Sequence, residues 1–121
     1  TGVQTCALPI WVAPALCSAW LRAIALDPKV GPAFIDSLAV AGVSGTVKKR
    51  FEGLDVRHVF VPCKTGYIKG VSCLSGYVGR NDQTPKYAFS IMCNELDEDK
   101  DGVHKAKALQ EEVVKLLAGT L

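Results

Sequence analysis

The chain has 121 residues, 49% of them hydrophobic, and its 14 basic against 12 acidic side chains leave a formal net charge of +2. That length holds one small domain; the near-neutral balance gives no electrostatic footprint for nucleic acid, and no apolar run reaches the ~20 residues that span a bilayer. Five cysteines, an odd count with no Cys-x-x-Cys pair, signal neither a zinc ribbon nor a paired disulfide scaffold.

Residues 1–10, TGVQTCALPI, look like a common short-read sequencing adapter translated in frame, since a back-translation fits it at every codon. A segment of that origin stands outside fold reasoning. Native sequence is therefore expected to start near Trp11, Cys6 leaves the cysteine inventory, and residues 11–121 are expected to be the C-terminal part of a longer protein. Residues 11–26, rich in Ala, Leu, Ile and Trp, predict a buried core helix, with Pro14 in its first turn and Asp27-Pro28 closing it. Gly31-Pro32 opens a short second helix through Ser37, before a Gly-bearing loop at 39–42 and one or two helical turns over 44–51. Lys48, Lys49 and Arg50 in those turns read as a solvated face rather than a phosphate site.

After the turn at 52–55 the composition shifts to β-branched and aromatic residues, in three strand-like runs over 57–65, 71–78 and 87–94. The connections, 68–70 and 79–85, are short enough to imply an antiparallel meander. Residues 103–118 predict an amphipathic helix. Its expected apolar stripe is Ala106, Leu109, Val113, Leu116 and Leu117, with Lys105, Gln110, Glu111 and Lys115 facing away and Glu111 pairing with Lys115 at i,i+4. The expected class is α+β, a three-stranded antiparallel meander flanked by helices.

Asp97, Asp99, Asp101 and Gly102 match the opening of a calcium-binding EF-hand loop, but the closing position falls on Ala108, which has no carboxylate. The segment reads instead as an acidic turn complementing the N-terminus of the last helix, and no metal or cofactor is expected. His58 and His104 sit on different elements without zinc spacing. Cys73 and Cys93 lie in strand-like runs where a small apolar residue packs well and read as buried core positions, and Cys63 stands beside the cationic Lys64, an arrangement that favours a thiolate. One tripeptide carries chemistry: Lys64-Thr65-Gly66, the K-T-G of serine β-lactamases and penicillin-binding proteins, at the end of a predicted strand.

Three segments surround it: AGVSGTVKKRF at 41–51, CKTGYIKGVSCLSGYV at 63–78 and YAFSIMCN at 87–94. Together they resemble the C-terminal end of the D-alanyl-D-alanine carboxypeptidase/endopeptidase family of low-molecular-mass penicillin-binding proteins, in order, spacing and endings. The resemblance covers residues 11–121. It implies the C-terminal part of a β-lactamase-like, penicillin-binding transpeptidase fold. It also implies a serine-type hydrolase that cleaves the terminal D-Ala, or a cross-link, of peptidoglycan stem peptides through an acyl-enzyme, with β-lactams as inhibitors.

The family's S-x-x-K nucleophile and S-x-N motifs are absent here: none of Ser18, Ser37, Ser44, Ser72, Ser75 and Ser90 has Lys at +3 or Asn at +2. In the family's order both precede K-T-G, so they are expected upstream, and this piece alone is expected to be inactive. The resemblance implies that Lys64 attracts the substrate carboxylate or shuttles a proton, and that Thr65 donates a hydroxyl to the same carboxylate. By the same resemblance Gly66 is expected to leave room for a peptide along the strand edge, and the Tyr67 backbone N–H to be an oxyanion-hole donor. Tyr67 departs from the family's usual Thr or Ser. A peptidoglycan substrate implies an extracytoplasmic or periplasmic location. A serine β-lactamase or esterase of the same fold and a catalytically silent cell-wall binding module are the alternatives.

Overall fold

The computed structural model describes residues 12–97 and 100–121. The expectations placed on residues 1–11, and on Glu98 and Asp99 of the acidic loop, lie outside the described residues. In chain order the elements are α1 (Pro14–Leu26), α2 (Gly31–Asp36), β1 (Ala39–Val40), a 3-10 turn (Gly45–Val47), β2 (Val59–Phe60), β3 (Pro62–Ile68), β4 (Val71–Arg80), β5 (Tyr87–Cys93) and α3 (Lys100–Ala118). Pro14 sits in the first turn of α1, where its missing N–H costs nothing. After α1 the Asp27 carboxylate accepts the backbone N–H groups of Lys29 and Val30, at 2.7 and 3.2 Å, and turns the chain into α2.

All strand pairs are antiparallel, in a five-stranded sheet. Its centre is the meander β3–β4–β5, so the α+β reading and its three-stranded core hold. Two short strands extend it. β2 and β3 are one ladder along β4, in unbroken register from Val59↔Arg80 to Ile68↔Val71, interrupted where Pro62 has no N–H to donate. β1, expected as loop, pairs with the outer side of β3 through Ala39↔Cys63 and Val40↔Pro62. The predicted strand also runs on past Thr65 to Ile68, so Lys64-Thr65-Gly66 lies mid-strand rather than at a strand end.

Side-chain alternation divides the sheet into two faces. On one, Val61, Cys63, Leu74, Val78 and Phe89 join Val47, Phe51 and Val114 in a buried cluster beneath α3. Burying a side chain such as Leu74 or Val78 contributes roughly 1.5–3 kcal/mol. On the other, Ser75 bonds Ser90 at 2.9 Å and takes the Cys17 thiol of α1 at 3.8 Å, while the Tyr77 hydroxyl donates to the Leu21 carbonyl.

Four expectations about the helices and their surroundings are corrected. No residue of α1 is fully buried: Trp20 is 72% exposed, because the sheet covers one side of a helix that is apolar all round. In α3 the buried positions are Ala106, Gln110 and Val114, whereas Leu109 and Leu116 are 56% and 72% exposed. Arg50 is not solvated. Its Nε meets Glu111 Oε2 at 2.9 Å, and its Nη2 donates to the Lys107 carbonyl and to Gln110 Oε1. Glu111 therefore pairs with Arg50, and Lys115 approaches Glu112, at 4.0 Å. Phe51 takes a left-handed backbone, φ 64°, and is held there by burial of its ring and by its N–H donating to Glu111 Oε1 at 3.0 Å.

Candidate active site

β1 covers the outer side of β3 only at Pro62 and Cys63. Beyond that point no strand among the described residues pairs with residues 64–68 on this side, so the K-T-G segment presents an open sheet edge. An open edge offers main-chain donors and acceptors to an extended peptide.

Alternation separates the four candidate residues. Lys64 and Gly66 pair across to Ser75 and Cys73, on the α1 face; Thr65 and Tyr67 pair across to Leu74 and Ser72, on the α3 face. Lys64 is exposed, with its ammonium donating to the Thr65 carbonyl. A Cβ added to Gly66 would meet only the Cys73 Cβ, at 3.7 Å, which is ordinary contact. The interior of the sheet thus sets no requirement for glycine here. The Tyr67 ring is 60% exposed and fills no core.

Sequence reasoning missed the other wall. The 3-10 turn places Thr46 Oγ1 3.1 Å from Thr65 Oγ1, and a recess of about 100 Å³ lies between Thr46, Thr65, Tyr67, Arg50 and Lys107. Glu111 neutralises Arg50, so the exposed Lys107 supplies the recess with its further cation. The signal that pointed here was the GTVKKRF stretch itself, read only as part of a resemblance. What it lacked was any local hint that Thr46 meets a strand residue nineteen positions on.

Other candidates are not brought to this edge. Cys63 is fully buried, and burial pushes its thiol up to about 11 despite the opposing charge of Arg50, so its nearness to Lys64 in sequence gives no reactive thiolate. Cys17, Cys73 and Cys93 are free thiols, and Cys73 and Cys93 are half-buried rather than the core positions expected of them. His58 Nδ1 meets Asp55 at 2.7 Å on the surface, a hydrogen bond that holds the Asp55 carboxyl below its ordinary value. His104 is exposed on α3. Among the described residues no group of three His, Cys, Asp or Glu side chains is placed to hold a metal ion, and no helix is long and apolar enough to cross a membrane.

The arrangement combines an ammonium, a hydroxyl pair and a free strand edge, which suits an extended peptide ending in a carboxylate. The family model of the D-Ala-D-Ala carboxypeptidase 3 (S13) family matches residues 11–117. No curated protein and no solved structure matches the chain.

Proposed function

The chain belongs to the D-Ala-D-Ala carboxypeptidase 3 (S13) family, and from that premise we propose that it forms the K-T-G wall of a serine-type carboxypeptidase acting on peptidoglycan stem peptides. Residues 11–121 are, in this reading, the C-terminal part of the catalytic domain, and residues 1–10 are adapter-derived. The observation that carries the reading is the open edge at 64–68 bearing Lys64-Thr65-Gly66.

A stem peptide ending in D-Ala-D-Ala lies along this edge and adds a strand to the sheet, its main chain paired with that of β3. Gly66 leaves the space for that approach. The Lys64 ammonium leaves the Thr65 carbonyl, attracts the terminal carboxylate and helps return a proton to the departing D-alanine. Thr65 donates its hydroxyl to the same carboxylate.

The attacking serine comes from an S-x-x-K motif upstream, and the acyl-enzyme forms as the peptide bond breaks and D-alanine departs. The Tyr67 backbone N–H, with that of the serine, faces the oxyanion. Because that role belongs to the main chain, Tyr serves where the family has Thr or Ser. β-Lactams carry a carboxylate beside a strained amide and enter by the same route, so they acylate the serine and inhibit. The substrate places the enzyme outside the cytoplasmic membrane.

The test is release of D-alanine from a D-Ala-D-Ala pentapeptide by the full-length protein, followed together with covalent labelling by a fluorescent penicillin. Both are expected of the full-length protein and neither of the 121-residue chain, which has no S-x-x-K motif. A full-length protein that releases no D-alanine and takes no label would refute the reading.

A further inference from the structure

We propose that Thr46 is a positioning residue for the substrate carboxylate, setting the direction in which the Thr65 hydroxyl donates. The inference rests on the reading of the K-T-G edge as the peptide-binding wall. It adds a residue from a separate segment of the chain.

The turn that carries Thr46 is held on both sides. Gly42 N–H donates to the Val47 carbonyl at 3.0 Å, Ser44 Oγ accepts the Val40 N–H at 2.9 Å, and Val47 is fully buried. Gly45, at φ +61°, lets the turn close against β1: a Cβ there would fall 2.6 Å from the Ala39 Cβ. β1 in turn is paired to β3 at Cys63, two residues before Thr65. Thr46 is therefore anchored to the strand whose hydroxyl it touches, while its own side chain stays exposed at the mouth of the recess.

Two hydroxyls 3.1 Å apart share one hydrogen bond, and either can donate. A carboxylate arriving at Thr65 is an acceptor only, so it claims the Thr65 proton, and the Thr46 proton then turns to the Thr65 oxygen. The reverse orientation would aim Thr65 lone pairs at an anion. Hydrogen bonds aligned in series polarise one another, so Thr46 strengthens the bond that Thr65 makes. Lys107 lines the same recess and adds positive potential to it.

The experiment compares, in the full-length enzyme, kcat/KM for a peptide with a free terminal D-Ala carboxylate and for the same peptide as its C-terminal amide. The wild-type enzyme is expected to favour the acid. Thr46→Val is expected to lose about fivefold of that preference, the size of one hydrogen bond, through KM for the acid and with the amide unaffected. Thr46→Ser should restore it. A melting temperature within about 2 °C of wild type shows the fold unchanged; should Thr46→Val fail to fold, Thr46→Ala takes its place.

Thr65→Val distinguishes the role of Thr46 from that of the K-T-G edge. If it lowers the acid preference while Thr46→Val keeps it, Thr46 has no positioning role and the K-T-G reading stands. If Thr65→Val leaves the preference intact, Thr65 does not hold the carboxylate and Thr46 has nothing to position; if the wild-type enzyme shows no acid preference, the K-T-G reading fails and the role of Thr46 with it.

Discussion

Gly66 and Gly76 lie on adjacent strands and answer the same substitution in opposite ways. A Cβ on Gly66 meets only the Cys73 Cβ at 3.7 Å, whereas one on Gly76 falls 2.3 Å from the Pro62 carbonyl oxygen and 2.7 Å from the Cys63 Cα. In the full-length enzyme, Gly76→Ala is expected to cost about 2 kcal/mol or more of unfolding free energy, because backbone must move to admit the methyl. Gly66→Ala should unfold like wild type, and under the proposed function it should lower kcat/KM for the stem peptide by about tenfold, because its methyl, on the Lys64 face, crowds a peptide lying along the edge. Paired urea unfolding and peptidase assays check both. A stable and fully active Gly66→Ala enzyme would show that no peptide approaches this edge closely.

Cys63 belongs to the same scale, and its effect on stability has a definite sign. Burial raises its thiol from 9.0 to about 11. Between those values the unfolded chain has lost a proton that the folded chain retains, so stability falls as pH rises. The contribution is complete below the unfolded value, disappears through the folded one, and amounts to about 2–3 kcal/mol at most. Urea unfolding across that alkaline window should show a steeper loss for wild type than for Cys63→Ala; parallel slopes would contradict the burial argument. The K-T-G tripeptide was legible in the sequence because it is local. The inertness of Cys63 was not, since Lys64 beside it suggested a thiolate and only the packing of β1 and the 3-10 segment over β3 reveals the buried environment.

At the scale of elements, α3 shows how a tertiary demand overrides a hydrophobic pattern. Its apolar residues define a stripe through Leu109 and Leu116, yet the face against the sheet is phased on Ala106, Gln110 and Val114. Gln110 is fully buried because it is fully used: Nε2 donates to the Ser72 carbonyl at 3.1 Å and hydroxyl at 3.3 Å, and Oε1 accepts from Arg50 at 3.2 Å. With Glu111 gripping Arg50 and the Phe51 N–H, this joins the GTVKKRF segment, the last helix and β4 in one network. Gln110→Ala should destabilise by about 3 kcal/mol, since it opens a cavity and leaves buried polar partners unmatched. Leu109→Gln and Leu116→Gln should stay within about 0.5 kcal/mol of wild type. Chemical unfolding of the three variants decides it, and a large loss at Leu109 would restore the simpler stripe. β1 was illegible for a related reason: two residues make a strand only because Cys63 and Pro62 are there to pair with them.

At the scale of the whole molecule, the three-stranded meander, its α+β class and the closing helix were readable from alternation and short connections. The layering was not. Composition made residues 11–26 a core helix, but the sheet covers α1 on one side only, where Cys17 meets Ser75 and the Tyr77 hydroxyl meets the Leu21 carbonyl, and Leu16, Trp20 and Leu26 stay exposed. Core burial is concentrated on the α3 face, and that face carries Thr65 while the α1 face carries Lys64. The K-T-G strand therefore divides its chemistry between two sides of one sheet and joins them at the open edge. The GTVKKRF segment and α3 brace it on the first side.

The proposed role of the K-T-G edge is tested most sharply by the second-order rate of acylation of the full-length enzyme by benzylpenicillin, measured by intact-protein mass spectrometry for wild type and for Lys64→Ala. Lys64 is exposed and fills no core, so the variant should fold normally. It should acylate about a hundredfold more slowly, the loss expected when a charge that binds the carboxylate and assists proton transfer is removed. Equal rates in two equally folded proteins would show that Lys64 takes no part in the reaction and would remove the K-T-G edge from the active site.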